Sequence, residues 1–129
     1  MKSKGLGFPD NFMDIFGFQR AVPNYVKVAQ EFSDRLVNRN KHQGDGTFTA
    51  QEFREKFLFA FDDPYIWEED TPTITFDFEG VDKISPGFAR EAFANFLQYT
   101  SKENLLKHFL FVNITKVKMG IIEGELDDN

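Results

Sequence analysis

The chain has 129 residues, with 15 Lys and Arg against 21 Asp and Glu, a net charge of −6, two His, no Cys and 17 Phe. That length predicts one domain able to fold around its own core without a disulfide or a structural metal. Zero Cys excludes a disulfide scaffold, a Cys nucleophile and thiolate-held zinc or iron–sulfur clusters, and the acidic balance opposes counterion-driven binding to nucleic acid. His42 and His108 stand outside any H-x-x-H or H-E-x-x-H pattern, so the spacing predicts neither a metal site nor a cofactor. The basic start at Lys2 and Lys4 is followed by a stretch broken by Pro9, Asp10, Asn11 and Asp14, and no later apolar run has membrane-span length. A cytoplasmic protein that does not enter a membrane is the expectation.

Residues 1–23 carry Gly5, Gly7, Phe8, Phe12, Phe16, Gly17 and Phe18 and end at Pro23, which reads as an aromatic arm that packs on the domain or on a partner. Residues 24–30 alternate β-branched with polar positions and predict a strand. A polar stretch over 38–46 follows, with Gly44-Asp45-Gly46 supplying a turn. Thr49 and Glu52 then form a capping box, flanked by Phe48 and Phe53 as a hydrophobic staple, and Phe53, Phe57 and Phe61 recur at helical spacing with Leu58. This predicts a helix that buries a Phe stripe.

Residues 62–70 hold five carboxylates and the only Trp, and read as a loop. Over 73–79, Ile74, Phe76 and Phe78 alternate with Thr75, Asp77 and Glu79, the pattern of a strand buried on one side. Ser85 followed by Pro86 is an N-cap with Pro at the first helical position. Phe88, Ala89, Ala92, Phe93, Phe96 and Leu97 make the apolar stripe of the helix it opens. Ser101 caps a short helix to about residue 107, residues 109–114 form an apolar strand, and 115–126 form a last helix. Strand and helix therefore alternate, which predicts an α/β domain with a small, mostly parallel sheet and crossover helices.

Residues 46–58 resemble the helix-opening motif of the STAS-like family, small prokaryotic and phage domains of unassigned function. Residues 75–93 resemble that family's strand–loop–helix signature, in which a D-F-x-G-V run leads to I-S-x-x-F and a helix with an acidic residue before Phe; Phe111-Val112-Asn113 is similar to its last strand. The resemblance spans about 24–122. It implies a single STAS-like domain after the arm of residues 1–23 and before an acidic tail at 123–129. The family is named for its likeness to anti-sigma-factor antagonists, in which a loop between a strand and the next helix carries a Ser phosphorylated by a partner ATPase-kinase. By that likeness Ser85, Pro86 and Gly87 occupy the loop. The antagonist loop reads Asp-Ser-Ser-Gly, whereas here Ser85 falls near the Asp and Pro86 near the acceptor, so a phospho-acceptor role rests on Ser85 alone.

What the resemblance implies is a non-enzymatic regulatory domain, bacterial or phage, that docks a signalling protein such as a histidine-kinase-like ATPase. The partner-binding candidates are Asp82, Lys83, Ser85, Pro86, Gly87 and Arg90, with Tyr65 and Trp67 as aromatic anchors in the acidic loop. Each has a plainer role: Ser85 as an N-cap, Trp67 as a core residue, and Arg54 and Arg90 as exposed charges on their helices. His108 reads as a hydrogen-bonded strand end and His42 as a solvated loop residue. Asp77 and Glu79 share a strand face roughly 6.5 to 7 Å apart, and with Asp82 offer a second reading, a small metal-dependent hydrolase. Without a partnering His, Lys or phosphate loop, the same carboxylates read as the solvated acidic rim of a strand end. A third reading is a self-associating structural module, a homodimer formed through the arm.

Overall fold

The computed structural model describes residues 22–38, 48–68 and 71–127. Residues 1–21 of the expected arm, the Gly44-Asp45-Gly46 turn and His42 lie outside the described residues.

Strands β1 (Tyr25–Lys27), β3 (Ile74–Asp77) and β5 (Phe109–Val112) form a parallel sheet in the order β1-β3-β5. A second parallel ladder joins β2 (Arg35–Leu36) to β4 (Lys83–Ile84). Every described pairing is parallel, as the alternation of strand and helix requires, because parallel neighbours need a crossover between them. The register puts Val26, Phe76 and Phe111 in one row across the three-stranded sheet.

Local signals set most boundaries. Thr49 Oγ1 accepts from Glu52 N at 3.1 Å while Glu52 Oε1 accepts from Thr49 N at 3.0 Å, so the capping box opens α2 (Ala50–Phe57) as expected. The staple is relayed through a third ring, with Phe48 edge-on to Phe32 and Phe32 edge-on to Phe53. α2 stops at Phe57, and Phe61 reaches the core from a separate 3₁₀ turn at Phe59–Phe61. Ser85 caps α3 (Pro86–Ala92), which tightens into the 3₁₀ segment Ala94–Gln98, and Ser101 caps α4 (Lys102–His108).

Three expectations are corrected. The strand expected over 24–30 ends at Lys27, because the Glu31 carboxylate accepts from Lys27 N at 2.9 Å and starts the one-turn helix α1 (Val28–Glu31). α5 (Lys116–Asp127) runs through much of the expected acidic tail, with Leu126 buried. The acidic loop over 62–70 contains a 3₁₀ turn, Pro64–Trp67, opened by Asp63 Oδ1 accepting from Tyr65 N at 2.9 Å. The strands β2 and β4, two residues each, carry no sequence pattern that predicts them.

One face of the three-stranded sheet is sealed by aromatic rings. Phe76 lies at its centre, with centroids of Phe53, Phe93, Phe109 and Phe111 at 5.7, 5.4, 5.8 and 5.5 Å. Phe61, Trp67 and Phe96 extend the cluster past Phe109. All six Phe of the two expected helix stripes, at 53, 57, 61, 88, 93 and 96, are buried. These edge-to-face, tilted and stacked ring pairs add to the burial of each ring. Phe76→Ala should therefore cost about 3–5 kcal/mol, measured by urea denaturation; a loss under about 1 kcal/mol would be incompatible with a central ring.

Candidate functional site

The candidate region lies where β3 ends and the chain turns towards α3. Asp77, the last residue of β3, is 5% exposed. Its Oδ2 accepts from the Tyr25 hydroxyl at 2.8 Å, and its Oδ1 accepts from Asn113 Nδ2 at 2.9 Å and from Glu79 N at 3.0 Å. One carboxylate thus ties β1, β3 and the loop after β5. Asn113 holds a left-handed backbone, φ 53°, which an Asn tolerates better than most residues. The solvated acidic rim expected for Asp77 is overturned, because three donors replace the water that a strand-end carboxylate would otherwise need.

These bonds set the electrostatics. The Asn113 amide, then the Glu79 N–H and the Tyr25 hydroxyl, hold the Asp77 carboxyl below its ordinary value of 3.8, against the opposing effect of desolvation. The same contact raises the Tyr25 phenol above its ordinary 10.0, chiefly through its hydrogen bond to Asp77.

From Asp77 the chain makes a tight turn, closed by Val81 N donating to Phe78 O at 3.0 Å. Gly80 takes φ 87° there, and a Cβ on it would lie 3.3 Å from Ala29 Cβ, so both conformation and space favour glycine. The Asp34 carbonyl accepts from Asp82 N at 2.7 Å and from Lys83 N at 3.3 Å, and Leu36 O accepts from Ser85 N at 2.9 Å. The segment is thereby strapped to β2. Asp82 also lies 3.6 Å from Arg35 across the ladder, an exposed ion pair of small energetic weight.

Ser85 Oγ accepts from Phe88 N at 3.1 Å and donates to Val37 O at 3.3 Å, so its hydroxyl both caps α3 and bonds to the chain just beyond β2. Around it Asp82, Lys83 and Pro86 are exposed, with Gly87 half-buried. Arg90 is exposed but turned to α5, where its Nε lies 2.7 Å from Glu125 Oε1. Arg54, expected on an exposed side, is instead largely covered and pairs with Glu91 at 2.6 Å, joining α2 to α3.

The two expected aromatic anchors separate. Trp67 is 6% exposed and its Nε1 donates to Phe61 O at 2.9 Å, which makes it a core residue. Tyr65 is 75% exposed. His108 ends α4 with its ring 6.3 Å from Trp67, and its buried Nδ1 has no hydrogen-bond partner, so the expected hydrogen-bonded strand end is not what is found.

Asp77, Glu79 and Asp82 do not converge. Among the described residues no group of three or more His, Asp or Glu is placed to hold a metal ion. Beyond the carboxyl ends of β3 and β5 lies an open groove of about 460 Å³, lined by Phe78, Glu79, Gly80, Val81, Asn113, Thr115 and Lys118. Crevices at this end of parallel strands are where open α/β sheets place ligands. The Tyr25–Asp77–Asn113 network and this groove escape sequence reasoning, since their members are 36 and 52 positions apart. Among the described residues no helix is long and apolar enough to cross a membrane.

A family model described as a STAS-like domain of unknown function (DUF4325) matches residues 49–119, more than half of the chain. No curated protein and no solved structure is matched.

Because the native pKa of Asp77 is lowered, its contribution to stability is present above the ordinary carboxylate value and is lost as pH falls through the native one. Tyr25 has the opposite sign: its raised pKa gives a contribution present below 10.0 and lost as pH rises through the native value. Asp77→Asn should lower the thermal midpoint at neutral pH and flatten the acid limb of a midpoint-against-pH curve followed by circular dichroism. An acid limb with the wild-type slope would show that the carboxylate is not held as described.

Proposed function

The chain belongs to the family of STAS-like domains, and from that premise we propose that it is a non-enzymatic regulatory module that docks a signalling protein through residues 77–87 and the start of α3. The observation that carries this reading is how the segment is built. Its roots are held by the Asp77 carboxylate, the Asp34 carbonyl and the Ser85 cap, while Glu79, Gly80, Asp82, Lys83 and Pro86 are exposed along its crest beside the groove. A surface ordered before it binds loses less entropy on docking.

The partner class comes from the likeness to anti-sigma-factor antagonists, a histidine-kinase-like ATPase. Asp82 and Lys83 supply adjacent opposite charges that fix register more than they add affinity. A phosphate on Ser85 would replace the hydroxyl's bond to Val37 O with charge beside the first N–H groups of α3. Phosphorylation would in this way loosen the strap to β2 as it changed the docking surface. The metal-dependent hydrolase has no observation in its favour, because both Asp77 oxygens are already occupied by donors from three segments.

The test is recovery of the full chain from its native cells with whatever co-purifies, followed by intact-mass measurement. A bound signalling protein is expected, captured about tenfold less well by the double charge reversal Asp82→Lys with Lys83→Asp. Loss of the cap in Ser85→Ala should cost about 1 kcal/mol in urea denaturation, and Ser85→Asp should restore most of it. Recovery of a lone protein, or capture indifferent to the reversal, would sink the docking reading.

A further inference from the structure

Among the described residues, two buried side-chain nitrogens have no hydrogen-bond partner, Arg54 Nε and His108 Nδ1. The Arg54 side chain is 19% exposed, and it is Nη2 that meets Glu91, at 2.6 Å, so the N–H on Nε is left over from the pair that joins α2 to α3. A guanidinium does not shed that proton, and a buried donor without an acceptor costs more than an average hydrogen bond contributes.

Arg54 also lines a cleft of about 170 Å³ between the end of α2 and the 3₁₀ segment Ala94–Gln98, together with Glu55, Leu58, Phe59, Asp62 and Phe96. Leu58 and Phe96 are fully buried and Phe59 is half-buried, which gives the cleft apolar and aromatic walls. Asp62 is exposed and accepts from the Tyr99 hydroxyl on Oδ1 at 2.7 Å, with Oδ2 left to accept a further donor. The Tyr99 phenol is held above its ordinary 10.0, chiefly by that bond, and the Arg54 charge opposes the rise, so the guanidinium and Asp62 share one neighbourhood.

Charge selects what the cleft can take. Glu55, Asp62 and Glu91 set three carboxylates around one guanidinium, so an anion is repelled even though Nε calls for an acceptor. A cation answers the carboxylates and leaves Nε unmet. A neutral group with a carbonyl oxygen beside an N–H answers both, and a carboxamide is such a group. The aromatic wall suits a flat ring.

We infer that this cleft binds a small neutral aromatic carboxamide, its carbonyl oxygen accepting from Arg54 Nε, its amide N–H donating to Asp62 and its ring packed on Phe59. The cleft shares no residue with the segment 77–87, so this inference stands or falls apart from the docking reading.

The probe is benzamide, titrated into the isotope-labelled full-length chain and followed by NMR, with benzoate and benzylamine as charged counterparts of similar shape. The Arg54 Nε–H signal, identified by its loss in Arg54→Lys, should shift saturably with benzamide, and the backbone amides of Leu58 and Phe59 give a second readout. Benzoate and benzylamine should bind at least about tenfold more weakly, as should benzamide to Asp62→Ala, where a bond to a charged group is lost from an exposed position. Benzamide shifting none of these signals would overturn the inference. So would benzoate binding as tightly as benzamide, or Asp62→Ala binding benzamide with wild-type affinity.

Discussion

The carboxylate of Asp77 is the joint on which this domain depends. It accepts from Tyr25 at the start of β1, from Asn113 just past β5 and from the backbone of Glu79 in its own outgoing loop, so two oxygen atoms tie all three strands together. A buried charge is tolerated only where donors replace the water it gives up, and here they come from segments far apart in the chain. The adjacent residue, Phe76, points to the other face and is surrounded by four rings. The middle strand therefore binds polar on one side and aromatic on the other within two residues.

That arrangement explains why an acidic family member can present a charged loop without losing its shape. The turn at Gly80, the strap from Asp34 and the Ser85 cap each fix one point of the segment between β3 and α3. None needs a large apolar contact. Exposed side chains are thus left to the crest, where binding charge costs little because it stays in water. The helices behind are held separately, by the ring cluster and by the Arg54–Glu91 pair between α2 and α3.

The helix starts were legible because their chemistry is local. Thr49 with Glu52, Ser85 with Pro86, and Ser101 each satisfy an N–H group three residues ahead, so the signal and its structural consequence lie in one short window. Helix ends were less so. The Phe53, Phe57, Phe61 spacing fits a continuous helix, yet the chain tightens after Phe57 and Phe61 still finds Trp67 and Phe109. Periodicity reports which residues are buried better than it reports which backbone carries them. The two-residue strands β2 and β4 have no period to read, and it is their pairing that straps the candidate site.

The sequence by itself determined the α/β order, the family, the capped helices and the Phe side chains that form the core, because each of these is written in neighbouring residues or in a run of them. Tertiary structure alone decided that Asp77 is buried and triply bonded, that Trp67 turns inward while Tyr65 turns out, that Arg54 bridges two helices, and that, among the described residues, Tyr25, Leu110 and Val112 are left exposed on one sheet face. The Asp77 and Arg54 outcomes depend on partners 36 to 52 positions away: a side chain's protonation, burial and exposure are set by what the fold brings beside it, and spacing along the chain carries no record of that.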